Sequence, residues 1–484
     1  MRAIFKILPP IGGQESKGQT TLELILPLVL LLVVLIALAM VIPRLTPTKT
    51  LAVGGGLIVF ILSFVSTQIA LYILIFSMLL SPEFIVGATE GATLGRGITL
   101  RADDFLVAVI GFSWLARMAI HKDLGFFLRT PLNRPIAGYI LVCVASTFLG
   151  ALFGRVDFKT GFFFVLKYFE YVVIYFMVAN YLKDRTQMKT FVWAMLLTCL
   201  IVSVVSMGKI PEGGRISAPF EGKTGEPNTF GGYLVFMMSI AMGLALMEES
   251  FRNRLIAFSM TILFSIPLLY TQSRSSYLAA IPAVLSFLWL SKRKRWILPA
   301  LLLVGLLLSF MAPKVTKDRI SYTFTQGIGR PDSVTVAGVQ LDTSTSARIE
   351  SWEEAFRDLS RHPVLGFGVT GYRFVDAQYV RVATETGFTG LLIFFLLLGT
   401  ILKESYRVLK ASEDSFDKGL TVGFLAGFIG LLFHAIGANT FIIVRIMEPF
   451  WFIAAMVMAI PSLAKDRTAK TAEEDNRSQP AGLR

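Results

Sequence analysis

The stretch LELILPLVLLLVVLIALAMVI, residues 22–42, carries one charge, Glu23. As a helix it is long enough to cross a hydrocarbon core of about 30 Å. Such runs recur along the chain, and water cannot cover them. The chain can therefore fold only as a polytopic membrane protein whose backbone polar groups are satisfied within helices. Composition agrees: 16% of residues are charged, against about 25% in a soluble protein. The net charge of +13 raises the question of nucleic acid for a soluble chain. Here it follows from basic links between spans, and no nucleic-acid partner is expected.

Apolar runs predict spans near residues 22–42, 51–80, 104–120, 136–154, 161–181, 188–208, 229–247, 255–271, 276–291, 296–312, 385–402, 419–438 and 445–463. The 51–80 run exceeds one upright helix, and SFVSTQIA at its centre predicts a break. The fold class is an all-α polytopic membrane protein of about 12–14 transmembrane helices, with one long extracytoplasmic loop containing amphipathic helix. The links HKDLGFFLRTPLNR (121–134), LKDRTQMK (182–189), EESFRNR (248–254), SKRKRW (291–296) and KESYRVLKASEDSFDK (403–418) carry basic clusters. They fall on alternate links and so face the cytoplasm. The chain then divides into a cytoplasmic leader (1–21), N-terminal spans (22–208), central spans with arginine motifs (209–312), the long external loop (313–384), C-terminal spans (385–463) and a cytoplasmic tail (464–484). The polar composition of that tail predicts disorder.

Within the long loop, SARIESWEEAFRDLSRHP predicts an amphipathic helix over 346–360, with Ile349, Trp352, Phe356 and Leu359 on its apolar face. Pro363 ends it. LGFGVTGYRF follows, with Gly366, Gly368 and Gly371 in the spacing G-x-G-x-x-G. A dinucleotide site needs a strand before such glycines and a helix after them. Here a helix precedes them, on the side away from any NAD pool, so they are read as permitting a tight turn with close backbone approach. At the N-terminus, Gly18 stands five residues before Glu23 and an apolar helix, similar to the cleavage site of type IV pilin-like precursors. A basic leader before an ordinary first span is the simpler reading. Cys143 and Cys199 lie in predicted spans without metal-ligand spacing and read as small apolar fillers.

Charged residues in or at the edge of a membrane are costly and point to function. Arg215 lies in PEGGRISAPFEGKTGEPNTFGGYL, at an external membrane edge, and Arg274 in LLYTQSRSSYLAA, between two spans with almost no loop. Arg348 opens the amphipathic helix, and Arg373 and Arg381 flank Asp376. Guanidinium groups gathered on one side can grip phosphate oxygens bidentately; the alternative is snorkelling to lipid headgroups. Asp376 and Glu385 stand where the loop returns to the membrane, and either can take a proton from a hydroxyl. Glu385 also fits a first-turn acid favoured by the helix dipole. Lys167 and Glu170, at i, i+3, read as neutralising each other. His434 reads as a hydrogen-bonded packing residue, and His362 precedes a proline at a helix end. No His, Cys and carboxylate cluster points to a metal.

RIESWEEAFRDLSRHPVLGFGVTGYRF, an R-x-x-x-W helix and a P-x-x-G-x-G turn, resembles the hallmark of the O-antigen ligase and O-antigen polymerase (Wzy-type) superfamily. YVRVATETGFTGLLIFFLLL resembles the element that follows it, and GGRISAPFEGKTGEPNTFGGYL and TQSRSSYLAA resemble two earlier segments, each with its arginine. The resemblance is clearest over residues 209–403. It implies a GT-C-like membrane glycosyltransferase of the bacterial inner membrane, active at the periplasmic or outer face. Such enzymes move a glycan from undecaprenyl diphosphate to an acceptor, with inversion and without metal or cofactor. By motif, Arg215 and Arg274 hold the diphosphate; Asp376 and Glu385 are the candidate catalytic residues, and Arg348, Arg373 and Arg381 the candidate substrate-binding residues. The implied partners are the undecaprenyl-diphosphate-linked donor, the glycan acceptor, the lipid bilayer and a chain-length regulator protein. The family's ligases have a histidine, usually followed by asparagine, nine residues before the glutamate matching Glu385. This chain has Asp376 and Ala377 there, which favours a polymerase over a ligase acting on lipid A core or protein. A transporter or flippase is a separate class, in which internal repeats are common; none is seen here. A structural scaffold leaves the external arginines unexplained.

Overall fold

The computed structural model describes residues 47–81, 83–85, 99–121, 130–219, 225–291, 321, 335–336, 339–340 and 343–478. The chain separates into two compact units, Met1–Phe60 and Ile61–Arg484. The described part of the first is the beginning of helix α1 (Pro47–Val65). The second is a bundle of α2 (Thr67–Leu80), α3 (Ala102–His121), α4 (Asn133–Leu152), α5 (Phe158–Tyr181), α6 (Arg185–Met207), α7 (Pro227–Met247), α8 (Phe251–Tyr270), α9 (Arg274–Leu290), α10 (Thr343–Leu359), α11 (Gln378–Ala411), α12 (Ser415–His434) and α13 (Val444–Ser478). Strand among the described residues is confined to two short antiparallel ribbons, Glu83–Ile85 with Thr99–Arg101 and Thr335–Val336 with Val339–Gln340. The protein is thus an all-α polytopic membrane protein. Eight of the described helices are long and apolar enough to cross a membrane, with three shorter apolar helices beside them. The expected spans 22–42 and 296–312, and the Gly18 junction, lie outside the described residues.

Local chemistry explains the short links. The expected break in 51–80 falls at Ser66, whose extended backbone separates α1 from α2 and whose hydroxyl caps α2 through Ile69 N. Asp157, Asp184, Ser250, Ser273 and Asp414 cap α5, α6, α8, α9 and α12 in the same way. A capping oxygen satisfies an otherwise orphaned helix N–H, so a helix can begin after only one to five intervening residues.

Three expectations are corrected. The last helix continues to Ser478, through residues whose composition predicts a disordered tail. The returning chain becomes helical at Gln378 rather than at 385, and this helix breaks at Gly387 (φ 69°, ψ −173°). Glu385 is therefore not a first-turn acid; it ends the short helical segment before the break. On α10, Phe356 points outward, 52% exposed, and Ala355 is buried with Leu359 instead. The buried stripe passes one position earlier than expected because α10 packs on Val375, Ala377 and Val380 through Trp352 and Ala355.

The most enclosed membrane helices are α7, α12 and α13. Close approach of α7 and α12 depends on glycines: a Cβ on Gly243 would strike the Gly419 carbonyl and lie 2.6 Å from Gly423 N. Small residues replace the hydrophobic driving force that lipid cannot supply between helices. Phe236, Phe424, Phe428 and Phe450 fill the space beyond them. Gly243→Leu should therefore destabilise the protein by about 1–3 kcal/mol, read as a lowered melting temperature in detergent, whereas Gly399→Leu, at a site with nothing within 4 Å of a Cβ, should leave it unchanged.

Candidate active site at one end of the bundle

The first part of the site is a turn braced by a returning loop. After α6 the chain passes a 3-10 turn, Ile210–Glu212, and two glycines at positive φ, Gly213 and Gly214. These reverse its direction and lay Arg215 against the link between α8 and α9. Ile216 N donates to Tyr270 O (3.1 Å) and Gln272 Nε2 to Gly214 O (3.3 Å). Arg215 Nε donates to Thr271 O and its Nη2 to Asn228 Oδ1, both at 3.0 Å. Arg274, half-buried, is the first residue of α9, behind the Ser273 cap. Arg215 and Arg274 are thus brought to one turn. Arg215 also reaches the first turn of α7, so the N-terminal ends of two helices, each carrying partial positive charge, add to the two guanidinium groups.

The second part is built on the broken helix. At its break, Phe367 N donates to Thr384 O (2.8 Å) and Gly368 N to Glu385 O (2.9 Å), while Phe388 N donates to Pro363 O (2.8 Å) and Thr389 N to Val364 O (3.3 Å). Gly366 (φ 66°), Gly368 (φ 98°) and Gly387 (φ 69°) occupy conformations that side chains resist. A Cβ on Gly366 would lie 2.7 Å from Glu385 C, and one on Gly387 2.6 Å from Leu365 N. The G-x-G-x-x-G spacing is thus a turn of close backbone approach, preceded by α10 and not by a strand. From α4, Ser146 Oγ lies within hydrogen-bond distance of the carbonyls of Leu365 (2.5 Å) and Glu385 (2.6 Å), which share its one proton, and Thr147 Oγ1 accepts from Val369 N (3.3 Å). Sequence reasoning missed both residues; the signal was a polar pair, AST, inside an apolar span.

The turn sets three ion pairs. Arg348 Nη2 meets Asp376 Oδ2 at 2.9 Å, with both side chains about 30% exposed. Arg373 pairs with Glu354 on α10 and lies over the Tyr372 ring. Arg381 Nε meets Glu385 Oε1 at 3.0 Å, with side chains 11% and 6% exposed, and Thr370 N donates to the same oxygen (3.0 Å). Thr370 (φ 67°) and Gln272 (φ 50°) are the two non-glycine residues of positive φ among those described. One sits in each part of the site, and such strain concentrates where surrounding structure over-determines the backbone for function. His362 lies edge-on to Phe367; partial burial, then Arg155 and Arg361, lower its pKa.

Other expectations fall elsewhere. Cys143 and Cys199 are buried and free. Lys167 does not take Glu170 as its ion-pair partner; its Nζ reaches Asp104 Oδ2 on α3 at 3.4 Å. With Arg101, Asp103, Arg445 and Glu448 these residues form a second charged centre that the sequence did not reveal. There Arg101 pairs with Asp103 (2.5 Å), and Arg445 Nη1 donates to the carbonyls of Leu79 and Pro219. His434 is fully buried with both ring nitrogens bonded.

Removing one member of a buried ion pair leaves the other uncompensated. Arg381→Ala should cost about 3–5 kcal/mol, measured by thermal unfolding in detergent, and Arg381→Met combined with Glu385→Leu should recover most of that loss.

Residues 259–395 match a family model described as O-Antigen ligase. The match begins in α8 and ends in α11, and it includes Arg274, Arg348, Asp376 and Glu385. A search of curated proteins found no match. The matched stretch is similar to an O-antigen ligase domain, and the match supports placing this multi-pass membrane protein with the O-antigen ligase and polymerase superfamily, whose members are glycosyltransferase-like enzymes.

Proposed function

We propose that this protein polymerises undecaprenyl-diphosphate-linked oligosaccharide at the extracytoplasmic face of the bacterial inner membrane, as an O-antigen or exopolysaccharide polymerase. The observation that carries the reading is that Arg215 and Arg274 share one turn beside two helix N-termini. The basic links 182–189, 248–254 and 403–418 alternate along the chain with the link 271–273 that precedes Arg274, which supports an outward-facing site.

In this reaction the acceptor hydroxyl attacks the anomeric carbon as the bond to the diphosphate breaks. The electron pair leaves with the polyprenyl diphosphate, and attack opposite to it inverts the centre. Fixed guanidinium groups stabilise the charge that develops on the leaving oxygen, and no metal or cofactor takes part. Asp376, partly exposed, orients the acceptor hydroxyl and takes its proton. Glu385 has Oε1 engaged by Arg381 and Thr370 and serves by holding the turn. Arg348, paired with Asp376, and Arg373, paired with Glu354, are the candidates for binding the acceptor sugar. A small apolar crevice lies among α4, α5, α11 and α13, lined by Tyr139, Tyr168, Phe394, Leu397, Phe441 and Trp451. Its residues Tyr139 and Tyr168 neighbour Glu385 electrostatically, so the crevice begins under the site. A chain-length regulator is a further partner in this reading. A second reading, single transfer to lipid A core or protein, is favoured by the description of the matched domain; Asp376 at the position of the ligases' histidine favours the polymerase.

The test is purified protein in nanodiscs, supplied with the lipid-linked oligosaccharide pool of native cells, with products resolved by mass. The wild type should give a ladder of lengthened glycans, and a single transfer product instead would select the ligase. Arg274→Ala should slow transfer about 100-fold and weaken undecaprenyl diphosphate binding. Asp376→Ala should slow it about 100-fold with that binding kept. In sealed proteoliposomes, movement of lipid-linked glycan across the bilayer with no product would overturn the reading in favour of a flippase.

A further inference from the structure

His434 stands at the end of α12 and is wholly buried. The proposed reaction does not use it, yet its hydrogen bonds reach both parts of the site. Its Nε2 lies 3.3 Å from Ser276 Oγ, and its Nδ1 2.8 Å from Thr440 Oγ1. The directions of these bonds follow from counting donors. With Ser276 Oγ donating its one proton to Ser273 Oγ at 2.7 Å, it accepts from Nε2. A neutral ring with its proton on Nε2 then accepts at Nδ1 from the Thr440 hydroxyl. Ser273 is the cap on which Arg274 begins its helix, and its oxygen also accepts from Ser276 N (3.3 Å). Asn228 neighbours the ring, and its side chain is a partner of Arg215.

The Thr440 arm leads to the other part. Asn439 Nδ2 donates to Val375 O at 2.8 Å, one residue before Asp376. Phe441 N donates to Gln378 Oε1 at 2.9 Å, and Gln378 N donates to Ala435 O at 3.0 Å, beside His434. Ser273, Ser276, Gln378, Asn439 and Thr440 are all buried, so water does not compete for these bonds. The fold makes room for the assembly with a pair of glycines in α7. A Cβ on Gly231 would lie 2.8 Å from Ser276 Cβ, and one on Gly232 3.0 Å from His434 Cε1.

We propose that His434 is a positioning residue that holds the Arg274 turn and the Asp376 loop in fixed register through the Ser273–Ser276–His434–Thr440–Asn439 chain. The inference rests on the transferase reading above. An in-line displacement needs the cationic turn and the acceptor-orienting carboxylate to address one bond from opposite sides. Loss of register by about 1 Å costs up to about 100-fold in rate, without much change in the affinity for a lipid-linked donor held by its diphosphate and tail. An imidazole suits the task because it donates on one edge and accepts on the other while staying neutral.

The experiment compares wild type, His434→Phe, His434→Gln and Ser276→Ala in nanodiscs with the donor pool from native cells. Rates are normalised to folded protein, and undecaprenyl diphosphate binding is measured in parallel. His434→Phe, which keeps a ring but no donor or acceptor, should lower kcat at least about tenfold with KM within about threefold. His434→Gln, whose amide can still donate to Ser276, should recover most of kcat. Ser276→Ala removes one hydroxyl and should lower kcat with KM held; it carries the test if the Phe variant fails to fold. Retention of kcat in both His434→Phe and Ser276→Ala would overturn the inference, as would a Gln variant no better than Phe. Absence of transfer by the wild type would instead sink the reading on which it rests.

Discussion

A helix broken within a membrane protein must have its freed backbone groups satisfied by something other than lipid. In α11 the break at Gly387 withdraws the carbonyls of Thr384 and Glu385 and the N–H groups of Phe388 and Thr389 from regular helical pairing. All four find partners in the turn 363–368, backbone to backbone. The turn exists because Gly366 and Gly368 can take positive φ and because no side chain separates the two strands of chain. Everything on the acceptor side of the site hangs from this closure. It sets Thr370 N on the Glu385 oxygen that Arg381, one helical turn earlier, also holds, and delivers Asp376 to the start of α11 beside Arg348. A membrane constraint on hydrogen bonding has thus become a means of fixing side chains that a flexible loop would leave loose.

The legible parts of the fold are those that depend on local period and length. The spans that fall on described residues form helices, and the Ser66 break was visible because a thirty-residue apolar run is too long for one upright span. The glycine turn was readable because a nucleotide fold needs neighbours that this stretch lacks. What could not be read depends on distant partners. Nothing local says that Ala355 and not Phe356 faces inward on α10; the choice belongs to Val375, Ala377 and Val380. Lys167 has an acid three residues away but takes Asp104 from another helix. The helical start at Gln378 was hidden because YVRVATET carries no breaker, and its polar residues look like loop until Ser146 and the turn are placed against them.

Of the candidate site, residue types were legible and their pairings were not. The arginines stood out because guanidinium at a membrane edge is costly. That Arg215 would fold back on Thr271 depends on Gly213 and Gly214 reversing the chain. The second charged centre escaped for the same reason: its members come from α2–α3, α5 and α13. Its arginines bond carbonyls at the end of α2 and in the 216–219 segment, so part of its cost is offset by satisfying backbone that lipid cannot reach.

In the proposed reaction the two acid–arginine pairs, Arg381–Glu385 and Arg348–Asp376, divide holding from acting. Arg381 and Glu385 are nearly out of contact with solvent. Separating them would leave two uncompensated buried charges, at a cost of several kcal/mol. No substrate group is well placed to compete for that pair, and it serves as a strut. Arg348 and Asp376 are about a third exposed, where an ion pair contributes about 1 kcal/mol or less. An acceptor hydroxyl that displaces Arg348 from one oxygen of Asp376 gives up little, and the released guanidinium remains beside the incoming sugar. In the proposed reaction the carboxylate that exchanges partners is therefore the weakly held one, and the carboxylate that fixes the turn is the one that cannot exchange.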